Sequence, residues 1–221
     1  LYKRDVDASP LSVGSYKTKS TGGGVRFGYP VTDYDSVSFG VAGEHMKLET
    51  FANSPFQYID FVRQFGNTYT YGSGTLGWTR DRLDSGLNPS MGTLTRASAE
   101  GGAGDLKYYR LMLQHQWYKP LSQTFTLQLG TDLGYAEGVS GRPLPFFKNF
   151  YAGGPGSVRG YRPYSLGPQD AATNVLGGTR KVVGNAEIRF PIPGAEQERS
   201  LRMGLFFDAG QVYGASEKVT L

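Results

Sequence analysis

Strict alternation of side-chain character, held over a dozen residues and repeated along the chain, most narrows what this sequence can fold into. From Thr124 to Tyr135 the odd positions are Phe125, Leu127, Leu129, Thr131, Leu133 and Tyr135, while the even ones are Thr124, Thr126, Gln128, Gly130, Asp132 and Gly134. A β-strand sends successive side chains to opposite faces, so a period of two records two environments, one greasy and one wet. Val37, Phe39 and Val41 oppose Ser36, Ser38 and Gly40, and Tyr109, Leu111 and Leu113 oppose Arg110, Met112 and Gln114. Val182, Gly184, Ala186, Ile188 and Phe190 share a face against Val183, Asn185, Glu187 and Arg189. Leu201, Met203, Leu205, Phe207 and Ala209 likewise oppose Arg202, Gly204, Phe206, Asp208 and Gly210. Tyr69 to Arg80 and Gly92 to Ala99 read as strands whose faces separate less cleanly. The pattern gives about eight complete strands and a partial one at Leu1 to Asp7. Turn signals fall at Pro30 to Asp35, Asp84 to Pro89, Gly101 to Asp105, Lys119 to Ser122 and Pro191 to Gly194.

A soluble antiparallel sandwich alternates as well, so the wet face has to decide between it and a membrane barrel. That face carries Gly, Ser, Thr and Gln with few Lys or Glu, as a crowded polar lumen does. Glycine supplies 32 of 221 residues, about twice the usual ~7%. Charged residues are 19% and aromatics 14%. Strands of about ten residues with aromatic ends suit a transmembrane β-barrel. The runs Gly22-Gly23-Gly24 and Gly101-Gly102 read as bends. No run approaches the ~18 apolar residues of a spanning helix.

The remaining chemistry is sparse. Cysteine is absent, which removes disulfide scaffolds, thiol catalysis and thiolate metal sites. His45 and His115 both fall on the odd, mostly apolar side of their strands. They give hydrolase chemistry no positioned base and a metal no ligand set, so the chain is not expected to be an enzyme or to carry a cofactor. Gly72-Ser-Gly-Thr-Leu-Gly77 has dinucleotide spacing, but no helix pattern follows it. The net charge of +4 comes from 23 basic and 19 acidic residues scattered along the chain, with no basic stripe for a nucleic acid.

From Gly138 to Lys181 the alternation stops, and an insertion of this length is more often functional than accidental. It reads Arg142-Pro-Leu-Pro-Phe-Phe-Lys-Asn-Phe-Tyr151, then Ala152-Gly-Gly-Pro-Gly-Ser-Val-Arg-Gly-Tyr161, then Arg162-Pro-Tyr-Ser-Leu-Gly-Pro168. Its aromatic side chains are costly to leave in water, so the loop is expected to fold back onto the sheet.

The stretch Phe150 to Tyr161 closely resembles the signature loop of the BamA family of outer-membrane insertases. Leu166-Gly-Pro168, Asn185-Ala-Glu-Ile-Arg-Phe-Pro191, Pro193-Gly194, Leu205-Phe-Phe-Asp-Ala-Gly210 and Gly77-Trp-Thr-Arg-Asp-Arg-Leu83 resemble that family in the same order. The resemblance covers nearly the whole chain. It implies an all-β, antiparallel transmembrane barrel of sixteen strands that follows a string of POTRA domains. Its signature loop tucks into the lumen, with the arginine held by carboxylates on the next two strands. Against that pattern, residues 1–221 read as part of the barrel domain, with the POTRA domains and the first and last barrel strands outside it.

Within the motif Val158, Arg159, Gly160 and Tyr161, the resemblance assigns Arg159 to Glu187 and Asp208. Parity puts both acids on polar faces of consecutive strands, and the planar guanidinium fork can satisfy two carboxylates. Arg189 and Arg202 are competing partners for the acids. The implied function is folding and insertion of β-barrel proteins into the bacterial outer membrane, by lateral opening and strand templating. The implied partners are unfolded barrel clients, lipoproteins of the assembly complex and outer-membrane lipids. A two-partner secretion pore of the same superfamily and a passive porin are the alternatives. The secretion relatives share the Val158-Arg-Gly-Tyr161 type of motif, whereas a porin needs no such loop.

Overall fold

A computed structural model describes residues 1–7, 15–192, 194, 202–215 and 217. Among the described residues, nine strands form one antiparallel sheet in sequence order: β1 (Tyr2–Asp7), β2 (Tyr16–Pro30), β3 (Asp35–Thr50), β4 (Thr68–Asp81), β5 (Gly92–Gly104), β6 (Tyr108–Pro120), β7 (Thr126–Gly138), β8 (Arg180–Pro191) and β9 (Arg202–Tyr213). This is the open sheet of a partial barrel, as the period-two pattern predicts. Successive connections alternate between two ends. One end carries 51–67, 105–107 and the long loop 139–179, and the other carries 31–34, 82–91 and 121–125. We refer to these as the loop end and the turn end. The expected strand position Leu201 and turn residue Pro193 lie outside the described residues.

Register fixes the two faces. Phe39 pairs with Leu76, Leu76 with Ala99, Ala99 with Leu111 and Leu111 with Tyr135. Leu129 pairs with Ala186 and Ala186 with Phe207. Directly paired residues project to the same side, so these positions form one continuous apolar face. That face is strongly exposed: Phe27 is 66%, Leu205 70% and Phe207 73% accessible. Large apolar side chains left uncovered in such a continuous band mark a surface that meets lipid rather than water. His45 and His115 lie on it as expected, each within 2.9 Å of a threonine on an adjacent strand, Thr70 and Thr95 respectively.

Two sequence expectations fail here. The glycine run at Gly22 to Gly24 is not a bend but the middle of β2, and Gly101 and Gly102 lie inside β5, leaving only 105–107 as the link to β6. The reason is close approach: a Cβ on Gly24 would sit 2.7 Å from the Cβ of Ala42, and one on Gly22 would sit 2.6 Å from the Gly43 carbonyl. The glycines let β2 lie tightly against β3. The other feature absent from the sequence reading is the helix α1 (Phe56–Phe65) in the 51–67 connection.

The inner face changes character along its length. Towards the loop end, inward positions Tyr16, Met46, Leu48, Tyr69, Tyr71 and Tyr108 form a buried cluster with Tyr58 of α1 and with Leu144, Phe146 and Phe150 of the long loop. Farther towards the turn end the inner face carries Arg96, Gln114, Gln116, Gln128 and Glu187. The core therefore lies inside the curve of the sheet, where the loop meets the wall.

Candidate functional site: the loop fastened inside the wall

The long loop leaves β7 at Gly138 and rejoins at β8, within two residues of the expected limits. Its descending leg is stiffened by Pro143 and Pro145 and makes a single 3-10 turn at Phe146–Lys148. Phe146 stacks on Tyr58 with centroids 3.8 Å apart and meets Tyr16 edge-on at 5.1 Å. The Tyr58 hydroxyl donates to the Leu176 carbonyl at 3.2 Å. Desolvation pushes its phenol up to about 12, so this bond is made by an uncharged hydroxyl. The two legs then pair: the Phe150 amide donates to Gly178 O at 2.8 Å and the Gly178 amide returns a bond to Phe150 O at 3.0 Å. A second bridge joins Ala152 to Leu166.

Beyond that bridge the loop tip turns through Gly153 and Gly154, both at positive φ. At Gly153 a Cβ would lie 2.7 Å from the Arg162 carbonyl, so the turn has no room for a side chain. This compact turn points Val158 into a small apolar cluster with Ala152, Val183 and Val212. The next residue, Arg159, is thereby aimed at the wall.

Arg159 meets Asp208 and Glu187 together. Its backbone amide and Nε donate to Asp208 Oδ2 at 3.0 and 2.7 Å, and Nη2 donates to Asp208 Oδ1 at 2.8 Å. Nη1 donates to Glu187 Oε2. The Asp208 side chain is 1% exposed, against 18% for Glu187 and 26% for Arg159. Asp208 is therefore the deep anchor and Glu187 the flanking one. The guanidinium carbon stands 3.7 Å from the centroid of the Phe206 ring, an inward neighbour on β9 that adds a cation–π contact. Hydrogen bonds donated to Asp208, and then to Glu187, hold the Arg159 guanidinium even higher than its ordinary range despite desolvation. It is a permanent cation in a planar, two-acid fork.

Not every expected residue joins this cluster. Val158 is buried beside it, and Gly160 adopts φ +88° to carry the chain away. Tyr161 is 56% exposed. The proposed competitor Arg189 instead donates to the Pro89 carbonyl at 2.9 Å and stacks over Tyr118 at 4.9 Å. Residues that sequence reasoning missed include Asn185, whose Nδ2 donates to the Ser157 carbonyl at 2.7 Å. Its signal was available, because it shares the polar face of β8 with Glu187. Gly204 was also missed: a Cβ there would come within 2.8 Å of Glu187 Oε1, so its bareness lets Glu187 lie across β9 to reach the loop. No group of three or more metal-ligating side chains occurs among the described residues.

A sheet of this register with such a loop clamped inside its curve agrees with the family comparison, in which residues 2–220 match the Omp85 superfamily domain. The chain belongs to the Omp85 superfamily. It is 43% identical over 224 aligned positions to the outer membrane protein assembly factor BamA of Neisseria meningitidis serogroup B, covering 95% of this chain and 28% of that protein. It is 27% identical over 207 positions to the BamA of Nitratidesulfovibrio vulgaris, covering 91% of this chain and 25% of that protein. The chain thus spans about a quarter of the length of these relatives. The same fold occurs in a crystal structure of BamA from Haemophilus ducreyi lacking POTRA domains 1-3. The TM-score is 0.86 at 23% identity, over 96% of this chain and 45% of that one. As an Omp85 sheet with its apolar face uncovered, the chain is part of an outer-membrane β-barrel.

Proposed function

We propose that this chain forms the wall and plug of an insertase that folds β-barrel proteins into the bacterial outer membrane. The similarity to assembly factors of that name supports this reading, and the observation that carries it is the clamp of Arg159 on Asp208 and Glu187. In this reading no covalent step and no cofactor are involved. The barrel opens at a seam elsewhere in the full protein and offers backbone hydrogen bonds to the edge of an incoming strand. The wall described here stays closed, and the clamped loop keeps its lumen face braced. Unfolded barrel clients, lipoproteins of the assembly complex and outer-membrane lipids are the partners.

The test is replacement of the full-length protein in its own cell by an Arg159→Ala form. Lower steady levels of several unrelated outer-membrane barrels, at unchanged levels of the variant itself, are expected. Normal barrel levels with loss of a single secreted substrate would favour a secretion pore. Large steady conductance in planar bilayers from the unaltered protein would favour a porin.

A further inference from the structure

We propose that the loop is fastened at two separate places, with Lys148 as the positioning residue of the second, so that its tip can leave the wall while its root stays docked. The clamp at Arg159 engages β8 and β9, through Glu187 and Asp208. Lys148 engages other strands, β4, β5 and β6, through Tyr71, Glu100 and Tyr108. Its Nζ donates to Glu100 Oε1 of β5 at 2.7 Å, and the Tyr108 hydroxyl of β6 donates to the same oxygen at 2.5 Å. The ammonium also stands 5.0 Å from the centroid of the Tyr108 ring. Both members of the ion pair are mostly sheltered, at 21% and 23% side-chain exposure. An ion pair so placed is screened less by salt than a surface pair, and loss of one partner leaves the other uncompensated.

The surroundings of Lys148 make the root a unit. Phe150 packs its ring against the bare backbone of Gly134 on β7, where a Cβ would approach it to 2.8 Å. Arg110 of β6 covers the ring at 4.4 Å. Phe146 adds its stack on Tyr58. The bridges Phe150–Gly178 and Ala152–Leu166 close the root off from the tip. Beyond them, the segment Gly153-Gly154-Pro155-Gly156 reaches the wall through Val158, Arg159 and the Ser157 carbonyl. Across that boundary Ala152 packs on Val158 and Tyr151 meets Tyr164 edge-on, a smaller join than the root's own aromatic stack, and local opening follows such boundaries.

Amide hydrogen exchange of the full-length protein in detergent, read separately over 144–152 and 153–166, tests this without reference to assembly activity. Arg159→Ala is expected to speed exchange at the tip amides Gly154 and Ser157 by about tenfold or more, leaving those of Asn149 and Phe150 protected. Lys148→Ala is expected to do the reverse, and Glu100→Lys should match it. The exchanged pair Lys148→Glu with Glu100→Lys should restore protection of the root, which a merely space-filling lysine would not do. Should the alanine form fail to fold, Lys148→Arg, with protected root amides, and the exchanged pair still give the answer. Joint opening of root and tip in either single variant, or a root as open in the exchanged pair as in the single forms, would overturn the proposal.

Discussion

The root and the tip of the long loop are held in the same lumen by different physics. The root is a packed aromatic assembly in which Tyr58, Tyr16 and Phe146 touch one another face-on and edge-on, with one sheltered ion pair at its side. The tip has a small apolar contact at Val158 and one bond from Asn185, and its charged hold is a single guanidinium whose partners must sit at the right place on two strands. Packing is non-directional and tolerates a shift if volume is kept, whereas a bidentate fork is lost when either acid moves. The root should therefore respond to changes of volume as well as to loss of its ion pair, and the tip chiefly to changes of charge and geometry.

The largest expected effect is at the root. Phe146→Ala removes the ring at the centre of the stack and should destabilise the folded barrel by about 3 to 5 kcal/mol, seen as a lower temperature for loss of heat-modifiable migration. Phe146→Leu should lose much less. Next comes Asp208→Ala, which strips Arg159 of its buried partner. A cost of about 3 kcal/mol to tip docking is expected, measured as protease cleavage between Gly153 and Tyr164. Glu187→Ala should cost less, because Glu187 is the more exposed acid and accepts one bond from Arg159 where Asp208 accepts three. If the two acids prove equal, the ranking by burial is wrong. Gly134→Ala should fall below these, at about 1 to 3 kcal/mol, by pushing Phe150 off its seat, and Phe150→Leu in the same protein should recover part of the loss.

The smallest effect is on pH. Asp170 accepts bonds from the Asn174 side chain and from the amides of Asn174 and Ala172. The Asn174 side chain, against some desolvation, holds its carboxyl below the usual range. Its contribution to order in the returning leg is thus complete above the ordinary aspartate value of about 3.9 and disappears as pH falls through the depressed one. Protection factors over 169–176, taken against the acid-slowed intrinsic exchange rate, should fall on acidification into that range. Asp170→Asn should flatten the response, and a flat response in the unaltered protein would remove Asp170 from the account.

Strands whose outward side chains are mostly apolar along their length were legible in the sequence, and β7 is the clearest. The harder strands share one cause. In β4 the apolar residues Tyr69 and Tyr71 point inward to the loop-end core, while Leu76 and Trp78 point outward to lipid. The greasy face changes side halfway along, which cancels the alternation when the strand is read as a whole. β2 does the same between Tyr16 and Phe27, with three glycines at the changeover, and so read as a bend. For the clamp, motif and parity together brought Arg159, Glu187 and Asp208 onto one page. Lys148 and Glu100 are 48 residues apart and belong to no motif. Their meeting depends on how the descending leg crosses the lumen, which no local pattern records.

Bare positions of the wall match particular side chains: Gly134 beneath Phe150, Gly204 beneath Glu187 and Gly102 beneath the ring of Tyr108. The wall therefore works as a cast of what leans on it, and loop and strands cannot be exchanged piecemeal. A chimera that takes the long insertion from a distant relative should assemble only when the corresponding vacant sites travel with it.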